Sequence, residues 1–103
     1  MQWLSWENVS CTGEPHGRHE NAFLACGDEI FLMGGRRIQP VEAFNPHTRS
    51  WRQLNPPPLE VHHFQPVAVG DTIYAIGAMT GPFPTEPSLE HVYRYIPGED
   101  RWE

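Results

Sequence analysis

The sequence is short of basic charge. Only 7 of its 103 residues are Lys or Arg, against 13 Asp and Glu, and the formal net charge is −6. A protein that grips a phosphate backbone needs a basic face, so nucleic acid is not an expected partner. The same shortage argues against docking on an anionic membrane surface. No apolar run reaches the roughly 18 residues needed to cross a bilayer as a helix, and mean hydropathy is −0.52. The opening Met1-Gln2-Trp3-Leu4-Ser5-Trp6 has neither the basic nor the apolar region of a signal peptide. The compartment stays open. The two cysteines, Cys11 and Cys26, are too few for a secreted disulfide scaffold. Cys26 closes an apolar run over residues 22–26 and is expected to be a buried, inert thiol.

Chemical signatures are missing as well. There is no His-x-x-x-His, no Cys-x-x-Cys and no Asp-rich calcium loop. His62 and His63 are adjacent, and neighbours on a strand point to opposite sides, so a shared metal ion is not expected. A Gly-x-Ser-x-Gly elbow, a phosphate loop and a dinucleotide fingerprint are also lacking. Accordingly no metal, no cofactor and no catalytic residue is assigned. No long segment carries a 3.6-residue apolar period, which excludes long amphipathic helices.

What the chain does have is punctuation. Pro (11) and Gly (9) are spread along its whole length, which favours short strands joined by turns. It also repeats itself. Gly27-Asp28-Glu29-Ile30-Phe31-Leu32-Met33-Gly34-Gly35 returns 43 residues later as Gly70-Asp71-Thr72-Ile73-Tyr74-Ala75-Ile76-Gly77-Ala78. Val41 to Pro46 returns 51 residues later as Val92 to Pro97, and Ser50-Trp51 as Arg101-Trp102. The change in offset places an eight-residue insertion between Ala78 and Val92. Ser5-Trp6 matches Ser50-Trp51 and reads as the tail of a preceding copy.

Each copy reads as four strands: residues 22–26 or 66–69, 29–33 or 72–76, 41–44 or 92–95, and the surroundings of Trp51 or Trp102. Repeats of about 40–50 residues with four strands each are the signature of a β-propeller. The expected fold is therefore all-β, two four-stranded blades, with the ring incomplete within this chain. Residues 1–17 are the last strand of a preceding blade plus a loop. Residues 18–60 form one blade, and residues 61–103 a second that stops in its last strand.

The residues also resemble a family. A strand ending in Gly34-Gly35, an aromatic at Phe44 and a Trp seven residues later at Trp51 are similar to the kelch repeat. The second copy keeps Tyr95 and Trp102 but has Gly77-Ala78 in place of the glycine pair. The glycines permit unusual φ and close approach of a neighbouring blade. Phe44, Tyr95, Trp6, Trp51 and Trp102 are expected to pack between blades. A ring needs about 4–8 blades. This chain therefore implies either the remaining blades of a longer chain or copies of itself.

Strand parity locates the polar residues. Loops that leave strand two and loops that enter the next strand one share an edge. That edge collects Arg18, His19 and Glu20, then Arg36 and Arg37, then His62, His63 and Gln65, with Glu86 in the insertion. His19 and His62 hold equivalent places, each eight residues before the Gly of a Gly-Asp turn. Arg18, Arg36 and Arg37 suit carboxylate or phosphate, and His19 and His62 suit proton transfer near neutral pH. The leading expectation is a binding scaffold that holds a protein segment or a polar small molecule, carbohydrate included, on this loop face. Similar propellers include sugar oxidases and sialic-acid epimerases, so a carbohydrate-active enzyme using His19, Glu20 and His62 is the rival. A self-assembling half-propeller is the third reading.

Overall fold

The computed structural model describes residues 5–103. Met1 to Leu4, the front of the expected 1–17 segment, lie outside the described residues. Eight strands form two antiparallel sheets of four. The first sheet holds β1 (Asn21–Cys26), β2 (Glu29–Gly34), β3 (Val41–Asn45) and β4 (Ser50–Leu54), paired in chain order. The second holds β5 (Gln65–Val69), β6 (Thr72–Ile76), β7 (Tyr93–Ile96) and β8 (Arg101–Trp102), again in chain order. No α-helix occurs among the described residues. These are two propeller blades without a closed ring.

The seven-residue spacing of aromatic and Trp has a direct cause. Phe44 pairs with Trp51 across β3 and β4, and Tyr95 pairs with Trp102 across β7 and β8. Directly opposed side chains share a face and touch. The ring centroids lie 5.1 Å apart in the first blade and 5.2 Å in the second. Each hairpin reverses through a left-handed residue, Arg49 at φ 57 and Asp100 at φ 48.

The core lies between the sheets. Alternation on β2 sends Phe31 and Met33 toward the second blade, where Ile73, Ala75 and Tyr95 meet them. Phe31 and Tyr95 contact edge to face, with centroids 6.3 Å apart. Each large side chain buried here contributes about 1.5–3 kcal/mol relative to leaving it exposed. Cys26 is buried in the same layer, and burial, with Asp71 nearby, pushes its thiol up.

Only part of the aromatic set packs between sheets. Tyr95 is fully buried there, whereas Phe44 and Trp51 lie half-buried on the outer face of the first blade. Trp6 is 99% exposed, because no described strand precedes β1 to receive it.

The glycine at the end of β2 sits where the blades come closest. Gly34 has φ 68, and a Cβ on it would stand 2.5 Å from the Val61 carbonyl oxygen, where the second blade begins. Gly35 donates its N–H to that same carbonyl at 2.8 Å. Gly77 has φ 70 but nothing within 4 Å of its would-be Cβ.

Candidate functional site

The site forms where chain segments enter β1 and β5. Glu20 and His63 occupy equivalent places, each one or two residues ahead of the first strand of its blade. Both have positive φ, 60 and 54. This left-handed step costs a non-glycine residue roughly 1–2 kcal/mol. It also turns the side chain out of strand alternation. The consequence at His63 departs from the sequence expectation. The imidazoles of His62 and His63 do not diverge; they converge, with their Nδ1 atoms 2.7 Å apart. The His63 amide donates to the Glu20 carbonyl at 3.1 Å and ties the two blade entries together.

His62 is fully buried. Its backbone pairs both ways with Met79 at 2.9 Å, and its Nε2 lies 2.9 Å from the Gly81 carbonyl oxygen. A carbonyl only accepts, so that contact fixes a proton on Nε2. Glu60 approaches the same nitrogen at 3.7 Å. His63 is half-exposed, with Nε2 at 3.5 Å from Glu20 and Nδ1 at 3.6 Å from Glu86.

Arg36 ties the cluster to the insertion. Its guanidinium donates to Glu20, to Glu86 at 2.9 Å and to the Gly81 carbonyl at 3.2 Å. The hydrogen bond from Arg36 holds the Glu20 carboxyl below the usual range, and the two carboxylates raise the guanidinium in return. The Arg37 amide donates to Glu60 at 2.5 Å. A cleft of about 460 Å³ opens beside these groups, lined by His19, Glu20, Arg36, Arg37, Glu60 and Phe83. Phe83 is 81% exposed at the tip of the insertion.

No protein-family model matches the sequence. Three curated proteins do. Kelch-like protein terF of Aspergillus terreus is 29% identical over 89 residues, covering 76% of this chain and 19% of its own length. Kelch-like protein 35 of Mus musculus is 24% identical, over 85% of this chain and 15% of its own. Kelch repeat and BTB domain-containing protein 3 of Mus musculus is 25% identical, over 91% and 17%. All three are kelch-like or kelch-repeat proteins, and the chain is similar to them over most of its length. It spans less than a fifth of the length of these relatives.

Within the two blades, the residues singled out from sequence separate into two groups. Glu20, Arg36, His62 and His63 come together in the cluster, and His19 and Arg37 line the cleft beside it. Gln65 opens β5 next to His63, exposed, pairing with Ile76. Arg18 is elsewhere. Its side chain is 1% exposed, and it donates to the carbonyls of Gly34 (3.1 Å) and Pro40 (2.9 Å) and to Glu42 (2.7 Å). Glu42 is also fully buried and accepts from the His16 amide at 2.7 Å, with the His16 ring at 3.0 Å.

The sequence pattern assigns Glu60 and Glu42 no role and gives Glu86, in the insertion, no partner. Glu86 is in fact 13% exposed and bonded to Arg36. A signal for Glu42 was present. Aligned at the repeat offsets, Arg18 falls on Val61 and Glu42 on Tyr93. A basic and an acidic residue that appear together where the other copy is apolar mark a paired contact.

Proposed function

We propose that these two kelch blades are part of a propeller that serves as a protein-interaction scaffold. The partner segment docks on the loop edge that carries His19, Glu20, Arg36, Arg37, His62, His63 and Gln65. The observation that carries this reading is convergence. Loops from both blades and the eight-residue insertion meet at one edge, around a cleft with the exposed ring of Phe83 and the exposed Arg37 at its rim. An aromatic and a guanidinium on loops held by a rigid sheet pair are the residue types that dominate interface energetics. The kelch relatives support the scaffold reading at the level of family.

Most of the cationic capacity at this edge is already engaged. Arg36 is bound by two carboxylates and Arg18 is buried, so the docking contacts fall to Arg37, Phe83 and the exposed imidazoles of His19 and His63. The test is a peptide selected from a random display library against the chain. Phe83→Ala and Arg37→Glu are each expected to weaken binding by about tenfold or more, the loss of one interface anchor. His47→Ala, in the hairpin at the opposite sheet edge, leaves it unchanged. Selected peptides that respond to His47 and ignore Phe83 and Arg37 would move the docking surface to the other edge.

A further inference from the structure

We infer that the chain binds one divalent transition-metal ion, of the Zn²⁺ class, at the mouth between the two blades, through His62, His63 and Glu20. Each of these residues offers a ligand atom within 4.8 Å of the other two. This inference is independent of any protein partner.

Two features make the cluster more than a chance gathering of polar groups. The first is the orientation of His62. It is fully buried and directs Nε2–H at the Gly81 carbonyl, 2.9 Å away, leaving Nδ1 as the atom aimed at His63. A metal-binding imidazole is held in this way, with one nitrogen engaged by a carbonyl and the other free to ligate. The second is the left-handed backbone at His63, φ 54, which brings a second Nδ1 to 2.7 Å from the first. Without that step adjacent imidazoles on extended backbone point apart. With His62 protonated on Nε2, His63 Nδ1–H is the donor in this contact and His62 Nδ1 the acceptor. Metal–nitrogen bonds of about 2.0–2.1 Å in a tetrahedron set ligand atoms about 3.4 Å apart. Binding therefore asks the rings to part by less than about 1 Å and the His63 proton to move from Nδ1 to Nε2 by exchange with solvent, which leaves both imidazoles neutral.

The carboxylates complete the donor set. Glu20, held below the usual carboxylate range by Arg36, stands 3.5 Å from His63 Nε2. Glu86 stands 3.6 Å from His63 Nδ1 and supplies a further oxygen. Imidazole with carboxylate suits Zn²⁺, Ni²⁺ and Co²⁺ rather than Ca²⁺ or Mg²⁺. Arg36 bonds both carboxylates and opposes a second positive charge, so it limits affinity and favours an ion that imidazole nitrogen holds strongly.

Isothermal titration of the whole chain with zinc chloride, and separately with magnesium chloride, tests the proposal. The expected result is one zinc ion per chain and no magnesium heat. His63→Asn keeps a residue type that tolerates positive φ. It and Glu20→Gln are each expected to weaken zinc binding about tenfold or more. His47→Ala, remote from the cluster, leaves affinity unchanged. Far-ultraviolet circular dichroism matched to the parent shows that each variant is folded. Zinc binding that survives His63→Asn and Glu20→Gln in folded protein overturns the assignment, as does the absence of stoichiometric binding by the parent.

Discussion

The two blades are built to one plan and held by opposite chemistry. In the first, the segment entering β1 is fastened to its sheet by ions: His16 and Arg18 converge on Glu42, and Arg18 and Glu42 have almost no exposed surface. At the equivalent places in the second blade stand Leu59, Val61 and Tyr93, which pack as hydrocarbon against the core. Blade geometry therefore demands that this space be filled, and does not dictate with what. A buried ion pair is no stronger than a well-packed apolar cluster of similar volume, because desolvation offsets most of its attraction. It differs in being intolerant of partial loss.

That intolerance gives the largest expected effect. Glu42→Ala leaves the Arg18 guanidinium buried without its carboxylate and is expected to cost about 3–5 kcal/mol in urea unfolding. Tyr93→Phe at the equivalent position, half-buried, is expected to cost less than about 1 kcal/mol. Equal losses at the two positions would erase the contrast between the blades.

The glycines sharpen the comparison next. Gly77→Ala meets open space and bears only its positive φ, about 1–2 kcal/mol. Gly34→Ala bears the same φ and also drives a methyl into the Val61 carbonyl, which adds about 1–3 kcal/mol. Urea midpoints for the two variants should separate accordingly. A Gly77→Ala loss as large as that of Gly34→Ala would mean that close approach of the second blade is not the constraint.

A smaller effect is expected at the hairpin aromatics. The Tyr95 hydroxyl donates to Asp100 at 2.6 Å, and Asp100 in turn accepts from the Asn55 amide at 2.8 Å. Burial, reinforced by Asp100, raises the Tyr95 phenol well above its usual value, so it stays protonated as a donor. Tyr95→Phe gives the second blade the residue the first already uses at Phe44, and is expected to cost about 1 kcal/mol by thermal unfolding. A loss above about 3 kcal/mol would show that the blades are not interchangeable there.

The smallest change in stability, and the sharpest test of the comparison, is the swap of His16→Leu, Arg18→Val and Glu42→Tyr together. It gives the first blade the second blade's chemistry and is expected to leave stability at pH 7 undiminished. Its pH profile should differ. Burial raises the Glu42 carboxyl, but the His16 amide, the His16 ring and Arg18 outweigh burial and hold it below the usual range. The unfolded chain thus takes up that proton first. The stabilisation is complete above the unfolded value of about 4.3 and is lost as pH falls through the lower folded value. Glu20, Glu29 and Glu103, each lowered by a neighbouring guanidinium, titrate in both proteins. The swap should therefore flatten the acid limb without abolishing it. An unchanged limb in urea melts between pH 5 and pH 3 would show that Glu42 does not contribute.

The strands were legible because each signal for them is local. Gly-Asp turns bound β1 and β5, apolar runs mark β2 and β6, and the seven-residue aromatic spacing follows from hairpin register. Even so, β7 begins at Tyr93 rather than Val92, since the insertion carries Val92 past the end of the ladder. The polar cluster was legible only as a shared edge. That His62 and His63 converge depends on positive φ at His63 and on the Gly81 carbonyl across the insertion. Neither leaves a mark in residue type.

The sequence alone determined the repeat, the four-strand unit and the kelch resemblance. Period and turn chemistry act over a few residues and are written where they act. Only the tertiary structure decided which charges face solvent and which neutralise one another. A side chain's partners far along the chain, such as Glu86 for Arg36, are set by how one sheet lies against the next. Desolvation and close approach, which fix each group's charge and contacts, exist only once that packing is made.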